Sequence, residues 1–510
     1  MMRYSYWLAA SFWLLGCSTK TTVAPGETDP ASSSSSSGNG GGSSTGGSFE
    51  CEAPDNLPAD PLTLLDGYEP STQKHLVDVQ FDPATKRVYG TGVPGLVVLE
   101  ADANGVNFLG QLQGGGMGKK GGKFEHVEVL NDTLVALTSR GRTNKNSNQV
   151  TGQGIYFVDV TQPSSLTQKS SLTIDGASGM AARDEHVFLL SHDGKLHVIN
   201  YADPSAPSEV ASIDGLSNPW DLVLVGDYAY VADTTLGLVT IDLSSPTAPS
   251  IVHTLAEAQG AQDVSTNGSE LFVAAGLTGV HIVSLKQPAS PALLTTHEMG
   301  GSVISVSVAD GVLWTTDQER IAAVDITDPA APVTLAVEKT PSWAMHVDAT
   351  EGVAYIADWR SLSAYNLDKE ALAPDADVSM SDLYFPTGTT ERELSIHNRG
   401  GAELVLSAVG SDDPRVTVTL EKDVLAPGEK GTVTVQFEPD GKDLESTLCI
   451  ASNDPDDPVQ SIVLASTSSG SSVLVGQDAP NFLLTDLDGN HLELAKQLGK
   501  PVFLCYFATW

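Results

Sequence analysis

Five residues recur at one position of a repeating unit and carry groups that ionise, ligate or accept hydrogen bonds: Asp78, His126, Asp221, Asp263 and His346. Gly179 and Ser305 fill the same position in two further copies. Three carboxylates and two imidazoles form a sensible donor set for a divalent cation. The same groups can instead bond to neighbouring turns. That role is favoured, because a wide ring of repeats holds such side chains too far apart for one ion. A second group is cationic. Lys119, Lys120, Lys123, Arg140, Arg142 and Lys145 form a basic island in a chain of 27 basic and 64 acidic residues, net charge -37. The third group is the thiols Cys17, Cys51, Cys449 and Cys505, whose spacing fits neither a disulfide framework nor a zinc ribbon. A Cys51–Cys449 disulfide is open in an oxidising compartment, although Cys449 reads more simply as a small residue in a strand. No catalytic constellation and no cofactor follow from these residues, and the identity of any metal is left open.

The charge excludes nucleic acid as a partner, since phosphate binding needs clustered Lys and Arg over a broad surface. A length of 510 residues allows about three domains. The elements that must position the Asp and His set are strands. Gly95-Leu96-Val97-Val98-Leu99-Glu100 recurs in six later copies, among them Gly154 to Asp159, Gly237 to Asp242 and Ser361 to Asn366. The copies end at residues 100, 159, 200, 242, 284, 325 and 366, so five of the six gaps are 41 or 42 residues. Four strands per repeat of this length make one propeller blade, and seven copies close a ring over residues 57–369. The seventh copy lacks a fourth strand, and Leu62-Thr63-Leu64-Leu65-Asp66 is predicted to complete it, leaving no open edge. Loops joining strands 2 and 3, and loops joining blades, share one face. Both large insertions, Gly114 to Lys123 and Ser139 to Gln153, fall there together with Asp78, His126, Asp221, Asp263 and His346. That face, with Arg140, Arg142 and Lys145, is the expected ligand face for a protein or surface partner.

Before the repeats, Arg3 precedes an apolar run from Trp7 to Leu15, too short to span a bilayer. The run ends in Leu14-Leu15-Gly16-Cys17, which resembles the bacterial lipobox. The resemblance implies cleavage before Cys17 and lipid on its thiol. Ser18 in place of Asp favours the outer membrane or cell surface. Residues 18–56 are rich in Ser, Gly, Thr and Pro and read as a flexible tether.

The repeats, best in Leu238-Val239-Thr240-Ile241-Asp242, resemble the LVIVD-repeat propellers. That implies an extracytoplasmic fold and no reaction. Residues 374–468 lack the repeat but alternate in strands such as Arg392 to His397 and Thr432 to Phe437, suggesting an immunoglobulin-like sandwich. Ile396-His397-Asn398-Arg399-Gly400 and Ser452-Asn453-Asp454-Pro455 resemble Hydin-type and choice-of-anchor domains, which implies a spacer or adhesion module. Asp454, Asp456 and Asp457 read as a solvated acidic turn in preference to a calcium loop.

The tail, 473–510, changes character. Gly476-Gln477-Asp478-Ala479-Pro480-Asn481-Phe482, then Gly499-Lys500-Pro501, then a strand ending in Ala508-Thr509-Trp510, resemble the opening of redoxin domains. The resemblance implies the start of a thioredoxin-like α/β fold whose Cys-x-x-Cys follows Trp510. The continuation expected after Trp510 is a redox centre. A selenocysteine codon read as a stop, a frameshift, a contig end and a decayed gene all stay open as causes. Cys505 lies within the strand and is expected to be inert. The fold class is thus mainly β: a seven-bladed propeller, a sandwich, and an incomplete α/β start. The leading function is a lipid-anchored envelope protein binding an unknown partner through the propeller, with membrane contact through Cys17. The alternative is an envelope thiol-disulfide oxidoreductase or peroxiredoxin-like enzyme.

Overall fold

The computed structural model describes residues 51–466, apart from 72–74, 114–123, 144–149, 370 and 387, together with the backbone of 483–485 and 491–493. The readings made for Cys17, the tether up to residue 50, Lys119, Lys120, Lys123, Lys145 and Cys505 therefore lie outside the described residues. No helix among the described residues is long and apolar enough to cross a membrane.

Seven antiparallel four-stranded sheets fill residues 62–367. We number them by their inner strands: Leu76–Asp82, Phe124–Asn131, Ala177–Arg183, Pro219–Val225, Asp263–Thr266, Ser305–Ala309 and His346–Thr350. The third strand of each sheet contains the repeated segment, as in Gly95–Asp102, Gly237–Asp242 and Leu362–Leu367. These strands read as continuous apolar runs because each sheet is covered on both faces. Leu238, Val239 and Ile241, for example, are fully buried.

The cores show how the sheets are arranged. Each apolar cluster joins two neighbouring sheets. Phe188, Leu190 and Val198 of sheet 3 pack with Leu222, Val231 and Val239 of sheet 4. Seven sheets in an open row would share six such cores; here there are seven. The seventh joins Leu76, Val88 and Val97 of sheet 1 to Tyr355, Ala357 and Leu362 of sheet 7, so the sheets form a closed cycle. The strand expected to complete the last sheet does so: Leu62–Leu64 pairs with the third strand of sheet 7, Leu62 opposite Leu367 and Leu64 opposite Tyr365.

Residues 376–466 form two further sheets. One has four strands, with Glu391–Asn398 and Lys430–Phe437 at its centre, and the other has five, with Leu444–Ser452 and Val459–Ser466 side by side. Leu394, Ile396, Val433 and Val435 of the first sheet share a core with Leu448, Ile450, Ile462 and Leu464 of the second. One pair, Asp382–Phe385 with Val459–Ser466, is parallel. Cys449 is not an isolated small residue: it is disulfide-bonded to Cys51, with Cα atoms 6.2 Å apart. Lys339 of sheet 6 reaches Asp457 of this second module at 2.8 Å. In the tail, Leu483–Thr485 and His491–Glu493 pair as an antiparallel hairpin, and the predicted helix and central strand lie outside the described residues.

Candidate functional site

An inner strand is bonded to its own sheet on one side only, so its other edge presents unpaired backbone groups. In several sheets, side chains from the preceding sheet satisfy some of them. The Val127 amide donates to Asp78 Oδ2 at 2.7 Å, the Val306 amide to Asp263 Oδ2 at 2.8 Å, and the Val347 amide to Ser305 Oγ at 3.2 Å. Two residues along each strand a second layer repeats the device. The amides of Val129, Ala182 and Ala349 donate to Gln80, Glu128 and Ser307, and the Phe81 amide donates to Asp348 Oδ2 at 2.7 Å. The last of these links sheet 7 back to sheet 1. Asp348→Ala should therefore cost about 1–3 kcal/mol by stranding that amide. Hydrogen exchange at Phe81 would show it, and unchanged protection there would refute the assignment.

At the level of Asp78 the five predicted residues come together. His346 Nδ1 lies 2.8 Å from Asp78 Oδ1 and its Nε2 3.8 Å from Asp263 Oδ2. His126 Nδ1 is 3.9 Å from Asp78 Oδ2. Burial disfavours a charged imidazole, but Asp78, Asp263 and Asp221 overcome it and push His346 up to about 10. Burial, and then the adjacent Asp263, push Asp221 well above the usual carboxylate range. Burial also lifts Glu128 to about 7. Gly179 completes the level because a Cβ there would lie 2.3 Å from the Trp220 carbonyl oxygen. The level separates two cavities on the axis. One, of about 390 Å³, is lined by Gln80, Glu128, Ser307 and Asp348. The other, of about 360 Å³, is lined by Glu125, Arg140, Trp220 and Gln262.

Of the basic island, Arg140 and the backbone of Arg142 lie among the described residues. Arg140 does stand at the mouth of the axis, but its Nε pairs with the Glu125 carboxylate. Its guanidinium lies 5.6 Å from the centroid of the Trp220 ring. Arg140 is thus an ion-paired cation beside an indole ring at that mouth. Arg142 is in the strand Leu134–Thr143, its backbone opposite Thr151. The solvated acidic turn needs correction. Asp454 is buried, and its carboxylate accepts the amides of Ala376, Asp456 and Asp457. Asp456 meets Asp60 and Glu338, with carboxylate oxygens within 4.8 Å of one another. Burial, then the neighbouring acids, push Glu338 up to about 9.

A further cavity, of about 1090 Å³, was not read from the sequence. It opens on the predicted face, at sheets 6, 7 and 1. Its aromatic corner is His75, Trp359 and Trp343. His75 stacks on Trp359 at 4.3 Å, and the Trp359 and Trp343 rings are 5.9 Å apart at 47°. Six non-glycine residues among those described have positive φ. Lys86, Asp184 and Asp310 sit at ordinary hairpin turns, whereas His75 (96°), Gln318 (78°) and Trp359 (66°) all line this cavity. At Trp359 the Arg360 amide donates to the Asp358 carbonyl at 2.7 Å, a three-residue turn of the strained kind. Strain gathered in one place marks a built site. Beside it Arg320 Nε and an Arg320 terminal nitrogen both donate to Asp317 Oδ2, at 2.9 and 2.8 Å. The available signal was a bulky Trp359 inside the tight turn between the second and third strands of sheet 7.

Residues 218–256 match the LVIVD repeat family. They span the whole of sheet 4, from Pro219–Val225 to Ser250–Leu255. This module is a β-propeller. Among solved structures the propeller is similar to the WD40 β-propeller domain of Doa1, with a TM-score of 0.45, 13% identity, and coverage of 63% of this chain and 99% of that one. A short part of the chain is similar to the thiol-disulfide oxidoreductase ResA of Bacillus thuringiensis (strain Al Hakam), 50% identical over 36 residues, 7% of this chain and 21% of the relative. ResA of Bacillus subtilis (strain 168) is 49% identical over 39 residues, 8% and 22% of the two chains. The chain thus spans about a fifth of the length of the curated relatives it matches.

Proposed function

We propose that this chain is a lipid-anchored envelope protein whose seven-bladed, LVIVD-type propeller binds a surface ligand, with residues 374–468 as an immunoglobulin-like spacer. The observation that carries the reading is the cavity of about 1090 Å³, where Trp359 and His75 are held in strained backbone beside Trp343, on the face of the turns between strands 2 and 3. A half-exposed Trp343, 52% accessible, has no structural need to stand at a cavity lip. Cys17 would carry the lipid and residues 18–56 would hold the propeller off the membrane, at the outer membrane or cell surface. The test uses the full chain and intact envelopes. Trp343→Ala should reduce retention on envelope material by about tenfold while fatty-acid labelling persists, and Cys17→Ser should abolish labelling. Retention indifferent to Trp343 would overturn the binding reading. Labelling indifferent to Cys17 would overturn the anchor.

A second reading rests on the likeness to ResA over 36 residues. In it the propeller and sandwich are a targeting arm for an envelope thiol-disulfide or peroxide reductase, with a thioredoxin-like domain beginning near residue 473 and its nucleophile after Trp510. The DNA following the Trp510 codon tests it. A Cys codon, or UGA, followed in frame by a second Cys and a helix-strand pattern supports the reading. UAA or UAG, with no redoxin sequence in any frame downstream, removes it.

A further inference from the structure

We propose that the ligand of the aromatic cavity is a neutral oligosaccharide; this rests on the binding reading above and names its ligand class. Three properties of the cavity point there. The first is shape. Trp343 and Trp359 meet at 47°, and His75 covers one face of Trp359, so the indoles form a concave corner with the half-exposed Trp343 ring as its open wall. A pyranose offers a flat, apolar C–H face to such a ring and keeps its hydroxyls at the edge, the amphipathic pattern that indole matches.

The second property is charge. Asp317, Glu319 and Asp377 line the cavity with Arg320, Lys339 and Arg360, three acids against three bases. Arg320 is paired with Asp317, Lys339 with Asp457, and Asp377 with Arg399. The site therefore has no surplus of either sign with which to select an ion, in a chain whose net charge of -37 repels polyanions. Paired carboxylates and guanidinium groups still have lone pairs and N–H groups to spare. A vicinal diol can donate to the one and accept from the other at the same time.

The third property is rigidity. The backbone at His75 and Trp359 is locked, since the His75 amide donates to the Trp359 carbonyl at 2.6 Å and the Val93 amide donates to the His75 carbonyl at 3.1 Å. Weak stacking contacts benefit most from a site that loses no freedom on binding. The volume, about 1090 Å³, suits several sugar units and not one.

The experiment applies the full-length chain, in detergent, to a printed array of neutral and acidic glycans and to host envelopes treated with periodate or with proteinase. Periodate cleaves vicinal diols and spares most peptide bonds. The expected results are binding to neutral oligosaccharides on the array, a fall of about tenfold or more in Trp343→Ala, and recovery in Trp343→Phe. Binding should change less than about twofold between about 50 and about 500 mM salt. Envelope retention should be lost after periodate and kept after proteinase. Retention that depends on Trp343 but is lost to proteinase, with a blank array, would make the ligand a protein, overturning this proposal while leaving the binding reading intact. Binding confined to acidic glycans and steeply salt-dependent would also overturn it. Retention indifferent to Trp343 would remove both.

Discussion

Replacing His346 with alanine should destabilise the propeller by about 3–5 kcal/mol at neutral pH, the usual cost of stripping the partner from buried charges. The ring lies between Asp78 and Asp263, both nearly inaccessible to solvent, and without it Asp78, Asp221 and Asp263 face one another uncompensated. The loss should shrink as pH falls toward 5, because the stranded carboxylates can then take up protons. The pH dependence of the wild type has a definite sign. His346 titrates near 10 in the fold and about 6.5 when unfolded, so its contribution is complete below about 6.5 and is lost as pH rises toward 10. Glu128, raised to about 7, acts in the same direction: the fold holds a proton that the unfolded chain has released above about 4.3. Stability should therefore be greater at pH 6 than at pH 9. Denaturation followed by tryptophan fluorescence across that range measures both effects. A stability maximum above pH 8, or a His346→Ala loss that does not vary with pH, would count against the assignment.

Cys51→Ser should cost about 2–5 kcal/mol under oxidising conditions. The disulfide joins residues 398 apart in sequence, so it removes much of the unfolded chain's freedom. It also fastens the segment before sheet 1 to the strand Leu444–Ser452 of the second module. Adding a reductant should bring the wild type down to the variant and leave the variant unchanged. A wild type as stable reduced as oxidised would show that the bond contributes nothing.

The propeller was legible in the sequence because its code is redundant. Each sheet repeats the same third strand, and a spacing of 41 or 42 residues leaves room for four strands and their turns. Aligning the repeats also placed Asp78, His126, Asp221, Asp263 and His346 at one level, where the structure brings them together. For Asp78 and Asp263 the role as bonds to the next inner strand follows from the edge that an inner strand leaves open. The aromatic corner was not legible. His75, Trp343 and Trp359 come from a lead-in, an extended connection and a turn, three places where the repeat is broken, and repeat logic discards what does not repeat. Nor could charge counting reveal that Arg140 is answered by Glu125, since the two lie on different strands and meet only across the register of sheet 2.

The pairing of Leu62–Leu64 with Leu362–Leu367 sets an order of events in time. The outer strand of the last sheet is the first to be made, and its partner follows some 305 residues later. At ordinary rates of synthesis, about 5–20 residues per second, that strand waits roughly 15–60 s. Until then the nascent molecule is an arc with an uncovered sheet face at each end, and the core shared by Leu76, Tyr355 and Leu362 does not exist. Closure is thus the last step of assembling the propeller. The apolar faces of the first and last sheets remain available in the meantime to chaperones, or to the ends of another unfinished arc.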